Sequence, residues 1–192
     1  MNDEDEVDCE TPPADWPHQT LTFWFDEHDE SDWFGGGPEF DAEITARFAG
    51  WRNALRSQPV EAFTRDINTA LAAIILFDQV PRNAYRGGAE AFATDHIALG
   101  ITKSVVEQKL DAGLNKNQRL FLYLPFEHSE NPEDQRESVR LISSFGDQRL
   151  LQFALDHQDM IKRFGRFPHR NKALGRADRD GEAEAVADGN NW

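Results

Sequence analysis

Three short segments concentrate the side chains that could do chemistry. The first is Asp78-Gln79-Val80-Pro81-Arg82-Asn83 and the second is Tyr123-Leu124-Pro125-Phe126-Glu127-His128-Ser129-Glu130. The third is Arg163-Phe164-Gly165-Arg166-Phe167-Pro168-His169-Arg170-Asn171. Guanidinium forks match carboxylates and phosphates bidentately. Asp78, Arg82, Asn83, Arg163, Arg166, His169 and Arg170 are therefore candidates to bind a small anion. His128, flanked by Glu127 and Glu130, is a candidate acid or base, with Glu130 as the alternative. With His157 it would make a His/carboxylate site, but the spacing matches no zinc motif, so no metal and no cofactor is expected. A plainer reading competes: Arg82, Arg163, Arg166 and Arg170 pair with Asp78, Asp95 and Glu127 and lock helix ends together.

These residues sit on apolar faces, which is where a polar group needs an explanation. Asp78 continues the face of Leu71, Ile74 and Ile75. Asp95 lies between Phe92 and Leu99, and His157 between Ala154 and Ile161. Once buried, each must find a hydrogen-bond or ion partner.

The elements that position them read as helices. A short aromatic helix covers Leu21 to Phe25 and ends before Gly35-Gly36-Gly37. Pro38 suits a first helical position, and Phe40, Ile44, Phe48, Trp51 and Leu55 then repeat at helical spacing. Pro59 is expected to start a third helix with Phe63, Ile67, Leu71, Ile74 and Ile75 inside. A fourth is expected from about Ala89 to Ala112, stopped by Gly113. Asn115 and Gln118 form a capping box for a fifth, which Pro125 should bend or end. Asn131-Pro132 opens a sixth. Asp147 opens a seventh, with Leu150, Ala154, His157, Ile161 and Phe164 on one face and Gly165 at its end. No stretch alternates with period two between hairpin turns. The fold class is all-α, built from antiparallel helical hairpins.

Composition narrows the partners. The 192 residues carry a formal charge of −15, which repels phosphate backbones and anionic membrane surfaces, so neither nucleic acid nor membrane is expected. Much of that acid lies at the two ends. Residues 1–14 and 177–192 read as acidic, disordered tails around one helical domain over 15–176. Cys9 is the single cysteine, so an intramolecular disulfide is ruled out. Acidic residues stand where a secretory signal needs basic ones, and no apolar run approaches a membrane span, so the cytoplasm is the expected compartment.

The three segments, together with Phe92-Ala93-Thr94-Asp95, Phe23-Trp24-Phe25 and Trp33-Phe34, resemble in order and spacing the bacterial family known as domain of unknown function 924. The resemblance spans about residues 20–176. It implies an all-helical fold similar to tetratricopeptide-repeat-like superhelices. It implies no activity and carries over no catalytic residue. The family usually continues with a Ser/Thr-Pro-Glu-Glu helix start where this chain has Ala177-Asp178-Arg179-Asp180-Gly181, so a final helix is not expected. Stacked hairpins favour a binding module for a protein, peptide or ligand. The alternative is a protein or enzyme for an anionic metabolite, with an Arg/His/Glu pocket.

Overall fold

The computed structural model describes residues 11–189. The expectations for residues 1–10, Cys9 among them, and for Trp192 lie outside the described residues. Every regular element described is helical, so the all-α class holds. The chain divides into two compact units, Met1–Arg86 with Glu90–Leu114, and Gly87–Ala89 with Asn115–Trp192, which subdivide the stretch read as one domain.

In the first unit the helices are α1 (Trp16–Thr22), α2 (Glu30–Gly35), α3 (Pro38–Leu55), α4 (Ile67–Ile74), α5 (Val80–Ala84) and α6 (Asp95–Glu107). Helix α1 packs on α4, α4 on α6 and α3 on α5. The buried side chains include Phe23, Trp24, Ile44, Phe48, Leu71, Ile74, Phe77 and Ile101. Several boundaries differ from the sequence expectation: α1 begins at Trp16 and not at Leu21, α2 is an additional helix, and α6 ends at Glu107 and not at Ala112. Pro59 precedes only a short 3₁₀ turn, Val60–Ala62. The helix itself waits for Asp66, whose carboxylate accepts from Thr69 N–H and so satisfies a donor that no helical carbonyl can reach. The helix expected from Ala89 likewise begins at Asp95, after a 3₁₀ turn over Ala89–Phe92.

A π-helical turn, Ile75–Gln79, links α4 to α5. Pro81 follows it and has no N–H to donate, so the carbonyl of Phe77 four residues earlier needs another donor. Buried Thr94 supplies it: its hydroxyl donates to Phe77 O at 2.7 Å. The same hydroxyl oxygen accepts from Arg52 Nη2 at 3.3 Å, and Arg52, itself fully buried, pairs with Glu90.

In the second unit α7 (Lys116–Glu127), α8 (Pro132–Ser143) and α9 (Gln148–Phe164) are joined by short connections. Helix α8 packs on both α7 and α9, the arrangement short helix–helix loops impose. The Asn115/Gln118 capping box is present. Pro125 sits inside α7 without ending it, and His128 N–H closes on Leu124 O at 2.8 Å. Gly165 ends α9 at φ 70°, a left-handed turn that a side chain would oppose.

The structure corrects the expectation for residues after 176. A tenth helix, α10 (Glu182–Ala187), is formed, and Glu182 and Ala185 are buried. Ala185 joins Met160, Ile161 and Phe167 in one apolar cluster with Phe164 packed against it. Acidic composition suggested a solvated tail, but the carboxylate that matters is neutralised by arginine.

Replacing Thr94 by Val removes the donor to Phe77 O and an acceptor for Arg52. Leaving such groups buried and unpaired costs on the order of 1–3 kcal/mol. Chemical denaturation should show that loss in Thr94→Val and little loss in Thr94→Ser.

Candidate functional site

The candidate residues fall into the two units, Asp78, Arg82 and Asn83 in the first and His128, Glu130, Arg163, Arg166, His169 and Arg170 in the second. In the first unit Arg82 forks onto Asp95, Nη1 to Oδ1 at 2.9 Å and Nη2 to Oδ2 at 3.1 Å. The same Nη1 donates to Asp78 O and lies 3.3 Å from Asp78 Oδ1. Burial pushes the Arg82 guanidinium down, but the charges of Asp78 and Asp95 push it up further, so it stays protonated. Gln79 Nε2 donates to Asp78 Oδ2, and Asn83 Nδ2 donates to Gln79 O. Asp78 is wholly buried. This segment therefore joins the start of α6 to the π-helical turn through one ion triad.

In the second unit a longer network joins three pieces of chain. Arg176 forks onto Glu130, Nη1 to Oε2 at 2.9 Å and Nη2 to Oε1 at 3.0 Å. Glu130 Oε1 also accepts from Phe167 N–H at 2.8 Å. Arg176 Nε donates to Asn171 Oδ1, and Asn171 Nδ2 donates to Glu182 Oε2 at 2.9 Å. Arg166 completes the line with a fork on Glu182, at 2.8 and 2.7 Å. Burial raises the Glu130 carboxyl, but the Arg176 fork, the Phe167 N–H and the Arg170 charge outweigh it and hold it below the usual carboxylate range. Glu182 is held down to about 2, chiefly by the Arg166 fork against the opposing effect of burial, with the Arg179 N–H and Asn171 helping.

The remaining candidates are arranged around Phe167. The His157 and His169 rings each lie 5.6 Å from the Phe167 ring, and the Arg170 guanidinium stacks on it at 4.6 Å. Arg170 Nη2 donates to His128 O at 3.0 Å. His157 Nδ1 is 2.9 Å from Phe153 O, so that nitrogen carries the proton and donates. Burial pushes the His157 imidazole down to about 3, with the charges of His128, His169 and Arg170 in the same direction. His128 and His157 are 6.3 Å apart by ring centre. Among the described residues no group of three or more His, Cys, Asp or Glu is placed to hold a metal ion. Arg163 stands apart, exposed on α9 and 3.5 Å from Asp159.

The pairing of Arg82 with Asp78 and Asp95 follows the expectation from residue types. The partner of Arg166 does not: it is Glu182, in the stretch read as a tail. Arg176, Asn171 and Glu182 were legible only as polar residues, because nothing in local spacing shows that a segment returns to an earlier helix. One feature lay outside any motif. Pro132, Gln135, Arg136, Gln158, Ile161 and Lys162 line a cleft of about 180 Å³ on α8 and α9.

The fold is all-helical and tied internally by arginine–carboxylate pairs. A solved structure of a protein of unknown function from Agrobacterium tumefaciens is similar, at 31% identity and TM-score 0.84, over 90% of this chain and 97% of that one. No curated protein matches the chain. Residues 20–190 match the family described as bacterial protein of unknown function (DUF924), and the chain belongs to that family. Among the described residues no helix is long and apolar enough to cross a membrane.

His157 and Glu182 both contribute to the acid behaviour. A His157 that stays neutral to about pH 3 while its unfolded form protonates near pH 6.5 favours unfolding as pH falls through that window. Glu182 adds stability that is present above the unfolded carboxylate range and is lost toward pH 2. Denaturation midpoints should therefore fall as pH drops from 6.5 to 3, and His157→Gln should flatten the upper part of that slope.

Proposed function

We propose that this chain is a helical binding module in which the motif residues hold the scaffold and a protein, peptide or small ligand is recognised elsewhere on its surface. The supporting observation is the closure of the motif side chains on one another. Arg82 and Arg166 spend both arms of their forks on carboxylates of this chain. Glu130, a candidate acid or base, accepts from Arg176 and from Phe167 N–H. A carboxylate so held is a weak base, and a guanidinium edge already forked onto a carboxylate is not open to an incoming anion. In this reading the helices stack in a tetratricopeptide-repeat-like way, act in the cytoplasm and bind neither nucleic acid nor membrane.

The alternative is an anionic-metabolite pocket on Asp78, Arg82, Asn83, Arg163, Arg166, His169 and Arg170, with His128 or Glu130 in acid–base work. It would need those pairs to open on binding.

Peptide display against the full chain, run beside a thermal-shift panel of phosphorylated and carboxylated metabolites, separates the two. The module reading expects peptides sharing a sequence pattern, and expects any metabolite that raises the melting temperature to do so equally in a folded His128→Ala variant. A metabolite that stabilises the wild type and not a folded His128→Ala variant would overturn it.

A further inference from the structure

We propose that the cleft on α8 and α9 binds an apolar side chain carrying a carboxylate beside an amide N–H, the chemistry shared by a peptide C-terminus and a free N-acylated amino acid. The proposal rests on the binding-module reading and gives it a place and a ligand class.

Size comes first. The cleft encloses about 180 Å³, and a cavity of roughly 150 Å³ accommodates a benzene-sized group. One residue's side chain fits and a nucleotide does not. Pro132 and Ile161, with the aliphatic stems of the longer side chains, supply apolar contact. Burying one such side chain gives about 1.5–3 kcal/mol in the free energy of transfer, which alone makes a weak site.

Charge makes it specific. Arg136 and Lys162 flank the cleft. Several cations of this acidic chain are closed by carboxylates at short range, as Arg86 is by Asp41 and Arg176 by Glu130. These two are held differently. Lys162 Nζ donates to the amide oxygen of Gln158, which carries no charge. Arg136 meets Glu133 at 3.4 Å, with both side chains mostly in solvent, 64% and 82% exposed. Such a pair contributes little and gives way at little cost. Two cations one helix apart, over a small apolar cleft, match a carboxylate attached directly to an apolar residue.

The third feature is an acceptor. Gln135 is fully buried. Its Nε2 is fixed by the carbonyls at the end of α7, donating to Glu127 O at 2.6 Å and Ser129 O at 2.7 Å. That fixes which way the amide points, since a flip would set oxygen against oxygen. Its Oε1 has no donor among the described residues. A buried acceptor without a donor is uncommon in folded proteins, and here it belongs to a residue lining the cleft. The oxygen itself is closed off in this structure, so an N–H next to the ligand's carboxylate would meet it once the side chains over it move aside.

The test is a two-dimensional amide NMR titration of the full chain with three probes. They are N-acetyl-leucine, its C-terminal amide, and an acetylated tetrapeptide ending in leucine with a free carboxylate. The expected result is that the acids move the resonances of Gln135, Arg136, Gln158 and Lys162, and that the amide binds at least tenfold more weakly. Arg136→Met with Lys162→Met, which keeps both stems and the fold, should weaken the acids at least tenfold. A tetrapeptide at least tenfold tighter than N-acetyl-leucine assigns the site to chain ends, and equal affinities assign it to free acids; either supports the chemistry. Equal binding of acid and amide, shifts confined to other residues, or no binding by any probe overturns it. If no probe binds the cleft and peptides selected by display bind the Met variant undiminished, the cleft proposal fails while the binding module stands.

Discussion

Backbone groups that a helical chain leaves without partners must be met by side chains, and in this protein Thr94, Gln135, several arginines and their carboxylates meet them. Each proline and each helix end creates such a demand. Pro81 releases the Phe77 carbonyl, and Thr94 and Arg52 close that gap at the heart of the first unit. In the second unit Glu130 takes the Phe167 N–H, Arg176 takes the Phe167 carbonyl, and Glu182 takes the Arg179 N–H. The charges are thus tied to chain geometry first. Removing one partner leaves the other buried and alone, so such residues are costly to replace.

Glu182 ties together the C-terminal part of the second unit. Two arms of Arg166, the amide of Asn171 and a backbone N–H converge on one wholly buried carboxylate. Ala185, one turn on, places α10 against Met160, Ile161 and Phe167. Apolar packing and ion pairing therefore act on the same short helix, which at six residues could not persist on its own. The His157 imidazole lies against Phe167 beneath it, kept neutral by burial. A buried group that stays uncharged thus touches the Phe167 ring, and a buried group that stays charged lies three residues before Ala185, which packs in the same cluster.

The helical class and the starts of α3, α7, α8 and α9 were legible because their signals are local: Pro38 and Pro132 at first positions, the Asn115/Gln118 box, Asp147 as a cap, and Gly165 at a left-handed stop. The displaced starts near Pro59 and Ala89 have a local cause too. Proline and small residues open a 3₁₀ turn as readily as a helix, and the Asp66 side chain decided the first boundary. What sequence could not show was return. Arg166 next to Phe167 and His169 has the composition of an anion site, yet its partner lies sixteen residues on, in a stretch whose acidity suggested solvent. The cleft on α8 and α9 was invisible for the converse reason. Its residues are ordinary on a helix surface and become a site only when two helices set them together.

Amide hydrogen exchange on the wild type and on Glu182→Ala tests most directly whether the motif residues serve as a structural closure. The account predicts faster exchange from Phe164 to Arg179, Phe167 and Arg176 included, with α7 and α8 still protected. Unchanged protection of that segment would mean that the carboxylate does not hold it, and would return the arginines to the role of a ligand pocket.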